Sequence, residues 1–255
     1  MVKKIRFFPY LCALSLCLGG CATLHNPATG RNEFILINSA TESALGKTAD
    51  AQMRKEHPAS SDRIVHARLE NIGKRVAAVS DRMDISYSFT VLADRELNAV
   101  TLPGGRIYVN QGLMNALGDD ELAYVVAHET GHVAARHIAK KIQANMGYQL
   151  LLSLAFAAYG EKVGDNAQDI ARGATTVYTI VGLAYSRSDE YEADRLAVKY
   201  ARAAGFDHYA SMGALAKLKK YEGPNSKIAG YFRTHPYVDD RIAALKKELS
   251  GVQQK

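Results

Sequence analysis

The chain has 255 residues, a formal net charge of +6, and 3 cysteines, a length that fits one sizeable domain with a full hydrophobic core. Lys3, Lys4 and Arg6 lie in the first twenty positions, and the remainder carries 29 Lys and Arg against 26 Asp and Glu, or +3, an excess too mild to argue for a nucleic-acid partner. Cys12, Cys17 and Cys21 all precede position 22, which excludes a disulfide framework or a thiolate metal site in the rest of the chain.

Residues 1–20 read as a lipoprotein signal peptide. Lys3, Lys4 and Arg6 form a basic start, and Phe7 to Leu18 form an apolar core too short to span a bilayer. The segment ends Leu18-Gly19-Gly20-Cys21, which resembles a bacterial lipobox, where the peptide is cut before a cysteine that then carries acyl chains. An ordinary secretory signal with an incidental Cys21 is the alternative. Ala22 is not the aspartate that commonly retains lipoproteins at the inner membrane. By resemblance to that sorting pattern, the mature chain is expected in the cell envelope, lipid-anchored to the outer membrane and facing the periplasm.

Residues 21–38 are expected to be the anchored tether, with a turn at Asn26-Pro27-Ala28-Thr29-Gly30. Ser39-Ala40-Thr41-Glu42 has the form of a capping box and opens a helix towards His57-Pro58. Val65, Leu69, Ile72, Val76 and Val79 recur at spacings of three and four, which predicts a second helix from about Asp62 to Ser80. His57 and His66 on these helices read as structural or solvated. Ile85 to Leu92 alternates apolar and polar residues and reads as a half-buried strand. Two further short strands, 98–102 and 107–110, flank the turn Pro103-Gly104-Gly105. An edge strand here could hold an extended peptide by β-augmentation; strands that only complete the core are an equal alternative.

The run Ala127-His128-Glu129-Thr130-Gly131-His132 reads H-E-x-x-H. Histidines four apart on a helix share a face, so His128 and His132 can each offer a neutral nitrogen to one Zn²⁺. Glu129 sits beside that face, where it can take a proton from water at the metal without being a ligand. Asp120 to Val126 and Val133 to Ala139 hold good helix formers, with Asp119 as a plausible N-cap. Gly131 costs a mid-helix position about 1 kcal/mol relative to Ala; a close backbone approach or simple tolerance explains it equally well. From Met146 to Tyr185 the chain is rich in Ala, Gly and apolar residues. Buried helices are the first expectation there, and a lid or membrane-facing hairpin the second.

A catalytic zinc takes three protein ligands and keeps one open position. Position 138, six past His132, is isoleucine, so the third ligand must come from elsewhere. Glu190 and Asp194 are four apart and share a helix face. Glu190 as ligand, with Asp194 orienting a histidine from behind, satisfies the geometry. An exposed acidic face with Arg187 and Arg195 is the alternative. His235 precedes Pro236 and could simply lead into the last helix, with Pro at its first position. Arg241 supports the site or makes a surface ion pair. His208 has no motif around it and reads as structural.

His128 to His132, Glu190 to Asp194, Asn98-Ala99…Leu102-Pro103-Gly104-Gly105 and Thr234-His235-Pro236…Arg241 together resemble the HtpX/CAAX-prenyl-protease family of zinc metallopeptidases. With the lipobox, the chain is most similar to the family's periplasmic lipoprotein branch of BepA- and LoiP-like proteases. The resemblance covers most of residues 26–245. Only a short segment follows Arg241, so the C-terminal repeat extension of BepA-type members is not expected. The resemblance implies one Zn²⁺ per chain on His128, His132 and Glu190, and Glu129 as general base and then acid. It implies Asp194 and Arg241 behind the ligands, and His235 near the metal, stabilising the oxyanion or capping the zinc as a gate. Asn98, Ala99, Gly104 and Gly105 fall on its substrate side.

The fold expected is α+β, mostly helical, a zincin-type (gluzincin) domain over residues 39–255 with a small sheet beside the H-E-x-x-H helix. The function expected is a periplasmic zinc endopeptidase acting on misfolded or unassembled envelope proteins. The competing expectation is a chaperone-like or binding lipoprotein for outer-membrane clients, with a gated and silent zinc site.

Overall fold

The computed structural model describes residues 23–158, 177, 179–220 and 229–252; the signal segment and Cys21 lie outside them. Residues 23–34, within the expected tether, form a hairpin about the Asn26–Gly30 turn. Strand β1 (Thr23–Asn26) pairs antiparallel with β2 (Arg31–Phe34). Asn26 Oδ1 accepts the Ala28 N–H at 3.0 Å, and Gly30 adopts φ 68°, a turn conformation that a Cβ disfavours. Charge docks the hairpin on the domain: Arg31 meets Glu192 at 2.8 Å and Lys140 meets Glu33 at 2.6 Å.

Helix α1 (Ser39–Glu56) is capped by Asn38, not Ser39; the Asn38 Oδ1 accepts the Thr41 N–H at 2.8 Å. Glu42, expected to close a capping box, turns inward instead. There its carboxylate takes a 2.6 Å hydrogen bond from Arg82, both side chains being buried. A second Arg82 nitrogen donates to the Val133 carbonyl at 2.9 Å. Helix α2 (Arg63–Ala77) starts at the Asp62 cap as its periodicity predicts.

Strands β3 (Ser88–Leu92), β4 (Ala99–Leu102) and β5 (Arg106–Asn110) form a sheet of order β3-β5-β4. β5 runs parallel to β3 and antiparallel to β4. Residues 58–60 cover the outer side of β3, Ser60 N–H donating to Val91 O at 2.9 Å. Among the described residues no strand pairs with the outer side of β4.

Short helix α3 (Gln111–Ala116) leads into α4 (Asp119–Ala134), whose cap is Gly118, one residue before the expected Asp119. Glu121 Oε2 reaches back to accept the Gly118 N–H at 2.9 Å. From Leu122 to Ala134 every residue of α4 is buried, as befits a helix at the centre of a core. It packs against the sheet, α2, α6 (Arg187–Ala203) and α7 (Ala210–Lys219). A Cβ on Gly131 would sit 3.0 Å from the Ala193 carbonyl of α6 and 3.2 Å from Leu196 Cβ. Close helix approach therefore accounts for that glycine.

The chain breaks sharply after α4. Arg136 takes φ 58° and α5 (His137–Ala158) begins at once. Of the apolar stretch that follows, Val177, Ile180, Val181 and Tyr185 are buried with Leu102, Tyr108 and Ile142 in a second core cluster; residues 159–176 lie outside the described residues. No described helix is long and apolar enough to cross a membrane. Helices α8 (Ala229–Thr234) and α9 (Val238–Val252) are the last of the described elements. Pro236 stands two residues before α9 rather than at its first position, because Tyr237 adopts φ 68°. The architecture is α+β, mostly helical and zincin-type, with the small sheet beside the central α4.

Candidate metal centre and active site

Four buried side chains converge on one point. α4 supplies His128 and His132, α6 supplies Glu190, and His235 follows the end of α8; their donor atoms all lie within 4.8 Å of one another. His128 Nε2 is 3.0 Å from His132 Nε2 and 3.3 Å from His235 Nδ1. Glu190 Oε1 is 3.1 Å from His235 Nδ1 and 3.4 Å from His132 Nε2, and its Oε2 is 3.5 Å from His128 Nε2. A tetrahedron whose centre is about 2.0–2.1 Å from each corner has edges of about 3.3–3.4 Å. The five separations given, 3.0 to 3.5 Å, sit around that value, and the full donor set spans up to 4.8 Å.

Charge gives an independent test. The carboxylates of Glu129, Glu190 and Asp194 are buried beside one buried guanidinium, that of Arg241. With neutral imidazoles, two negative charges remain uncompensated, a costly arrangement in a low-dielectric interior. Arg241 Nη1 lies 2.8 Å from Glu190 Oε2 but off the hydrogen-bonding direction, and Glu190 Oε2 and Glu129 Oε1 are buried without a hydrogen-bond partner. A divalent cation at the convergence point neutralises the charge and gives Glu190 a partner. The residues fit a metal ion.

With protein groups alone, protons respond to the same excess. Burial and Arg241 both disfavour a proton on His128, yet Asp194 and Glu190 outweigh them and raise its pKa to about 9. Burial drives His132 well below the ordinary imidazole value. Burial opposes the Asp194 charge, but Arg241 and His128 hold its pKa down at about 2. Glu190 is likewise held well below the usual range, against its burial, by His235 and Arg241.

Each group is held from behind. His128 Nδ1 is 2.8 Å from Asp194 Oδ1, which also accepts the Tyr124 O–H at 2.7 Å. Arg241 donates to both Asp194 oxygens, at 2.8 and 2.7 Å. Thr101 Oγ1 donates to Glu129 Oε2 at 2.6 Å, while Glu129 Oε1 faces His235 Nε2 at 3.3 Å. Tyr185 stacks on His132 with centroids 3.8 Å apart, and Tyr231 stacks on His235 at 4.6 Å.

Residues 64–249 match peptidase family M48. The chain belongs to that family. It is 30% identical to a putative beta-barrel assembly-enhancing protease of Vibrio cholerae, over 93% of this chain and 52% of that one. It is 28% identical to the mitochondrial metalloendopeptidase OMA1 of Schizosaccharomyces pombe, over 90% and 67% of the two chains. Identity to the metalloprotease LoiP of Escherichia coli is 25%, over 97% and 98%. The chain spans about half the length of the Vibrio relative.

In this M48 domain His128, Glu129, His132, Glu190 and His235 come together, with Asp194 and Arg241 behind them. Asn98 and Ala99 lie at the start of edge strand β4. Asn98, its Oδ1 buried without a partner, lines a cavity of about 820 Å³ with Val100, Asn110, Arg233 and Thr234. Gly104 and Gly105 do not join the cluster. Both adopt φ 77° in the β4–β5 turn, where an added Cβ would meet Ser43 of α1 at 2.8 Å and Ile85 at 2.6 Å respectively. Their placement answers to turn geometry and packing. His57 binds Asp94 at 2.7 Å and His66 binds the Ser60 carbonyl at 2.9 Å, both away from the centre. His208 also stays outside, beside Tyr209.

Thr101, His137 and Tyr185 were not singled out from the sequence. Period-two alternation puts Thr101 on the same face as Ala99, towards α4, which was the available signal. His137 stands five past His132, where a continuous helix would turn it about 140° away. Only the break at Arg136 returns it, to place its Nδ1 2.9 Å from His132 Nδ1.

Proposed function

We propose that this chain is a zinc-dependent endopeptidase of the bacterial envelope, lipid-anchored through Cys21 and acting on misfolded or unassembled outer-membrane and periplasmic proteins. The observation that carries the reading is the buried donor set with Glu129 aimed into it by Thr101. The lipobox-like Leu18-Gly19-Gly20-Cys21 and the name of the Vibrio relative, a putative beta-barrel assembly-enhancing protease, support the location.

His128, His132 and Glu190 would hold one Zn²⁺. Zinc, when bound, supplies a Lewis acid that polarises a carbonyl and acidifies water. Thr101 occupies one oxygen of Glu129 and leaves the other free to take the proton of the attacking water. As the C–N bond breaks, the same carboxyl returns that proton to the leaving amine, so water adds across the peptide bond and no other reactant is consumed. His235 Nε2 stands close enough to Glu129 to donate to the carbonyl oxygen as charge develops on it. Among the described residues no strand pairs with the outer side of β4, so that edge would take an extended peptide, and the adjoining cavity would accept its side chains.

A second reading has its own observation. His235 Nδ1 takes the fourth corner of the donor set, so all four positions are protein atoms. This arrangement suits a gated centre in a chaperone-like or binding lipoprotein for outer-membrane clients. Zinc content and casein cleavage by the full chain and by Glu129→Gln separate the readings. Zinc in both with cleavage only by wild type supports the protease. Zinc in both and cleavage by neither favours the gated reading, with His235→Ala as the next variant. A folded chain without zinc would sink the metal centre.

A further inference from the structure

Behind His132 lies a second chain of polar groups that the proposed reaction does not use. His132 Nδ1 is 2.9 Å from His137 Nδ1. His137 Nε2 is 3.2 Å from Glu192 Oε2, and Asp189 Oδ1 stands farther off at 3.5 Å. Glu192 Oε2 accepts a hydrogen bond from Arg31 Nη2 at 2.8 Å. The His137 side chain is 1% exposed and that of Glu192 is 12% exposed, so water competes little for the contact between them, whereas Arg31, 58% exposed, meets Glu192 at the surface.

The donors follow from one requirement. If the Nε2 lone pair of His132 faces a cation, its proton sits on Nδ1 and points at His137. His137 Nδ1 must then accept, which puts its own proton on Nε2, aimed at Glu192. Every donor in the series meets an acceptor, and the series ends on a carboxylate paired with Arg31. On the other side, His128 reaches its carboxylate, Asp194, directly. The two histidines of α4 are therefore backed by carboxylates at different removes.

We infer that Arg31, Glu192 and His137 form a positioning relay that holds His132 in its metal-binding tautomer and orientation. The relay makes the N-terminal hairpin a working part of the metal centre. Arg31 lies outside the residues that match family M48. The inference rests on the proposed metal centre. Glu192 also explains why α6 carries an acid facing away from Glu190 and Asp194: it serves the other histidine from the flank. Such partners of metal ligands typically change metal affinity about 10–100-fold when removed.

The test uses the full chain, titrated with Zn²⁺ against a chromophoric chelator, and with Co²⁺ so that the visible spectrum reports ligand geometry. His137→Leu should weaken Zn²⁺ binding about 10–100-fold. His137→Asn, whose side-chain oxygen can replace the accepting Nδ1, should recover part of that loss. Glu192→Gln and Arg31→Met should weaken binding by smaller factors in the wild-type background. In the His137→Leu background, where the link is already cut, Glu192→Gln should have no further effect. A merely structural role would lower the melting temperature of the zinc-free chain without this dependence on background. Wild-type affinity and Co²⁺ spectrum in Glu192→Gln and Arg31→Met would overturn the relay alone, as would equal effects of Glu192→Gln in both backgrounds. A wild-type chain that binds no Zn²⁺ would overturn the metal centre and the relay together.

Discussion

Arg241 offers the sharpest test of how charge is balanced around the centre. It is fully buried, holds both oxygens of Asp194, and lies 2.8 Å from Glu190. Arg241→Met keeps an unbranched side chain and removes the charge. Before any imidazole takes up a proton, the buried carboxylates left uncompensated rise from two to three without a metal; with a divalent cation bound they rise from none to one. Removing one partner of a buried ion pair costs about 3–5 kcal/mol, against a total stability of about 5–15 kcal/mol for an ordinary domain. Zinc at a hundred times its dissociation constant returns about 2.7 kcal/mol. Urea unfolding of wild type and Arg241→Met, each with excess zinc and with chelator, measures both terms. The expected result is a loss of about 3–5 kcal/mol in chelator and a larger stabilisation by zinc relative to total stability in the variant. A chelated variant within about 1 kcal/mol of wild type, the range of an exposed pair, would refute the argument that Arg241 neutralises the buried acids.

Three further outcomes are expected. Thr101→Val removes a hydrogen bond to the Glu129 carboxylate, worth about 1.5–3 kcal/mol. Turnover should fall by one to two orders of magnitude while zinc content stays at the wild-type level; unchanged turnover would remove Thr101 from the site. Gly131→Ala puts a methyl 3.0 Å from the Ala193 carbonyl, an overpacking cost of about 1–3 kcal/mol. Because Glu190 rides on the same helix, zinc affinity should drop with thermal stability, and a drop in stability alone would show that α6 does not move as a unit. The pKa of Glu192 falls from 4.5 to about 2 because hydrogen bonds from His137 and Arg31 overcome the opposing effect of its burial. A lowered carboxylate contributes stability above pH 4.5 that is lost as pH falls towards 2. Glu192→Gln should flatten that acid limb of a stability–pH curve, and an unchanged slope would count against the assigned ion pair.

What could be read from the sequence, and what could not, divides along a physical line. His128 and His132, like Glu190 and Asp194, are four apart, and helix periodicity alone puts each pair on one face. The strands and the Pro103-Gly104-Gly105 turn were legible for the same reason: alternation and φ preference are local. Glu42 was misread as a cap because its local pattern permits that role, whereas the fold sends it to Arg82, forty positions away. Gly104 and Gly105 carried no side chain whose direction could be foreseen, and the fold uses their backbone freedom and missing Cβ atoms against α1 and Ile85. The hairpin was opaque because β1 and β2 are short and mostly exposed. Its position depends on Arg31 and Glu33 finding Glu192 and Lys140 in elements more than a hundred residues later. His137 shows the same limit within a few residues, since one left-handed residue, Arg136, reverses what periodicity would say. Buried charge must be compensated somewhere, but the partner can come from any part of the chain. His128, His132 and Glu190, with Asp194 behind them, are therefore written in spacing, while Thr101, His137 and the Arg31–Glu192 pair become visible only once the chain has folded.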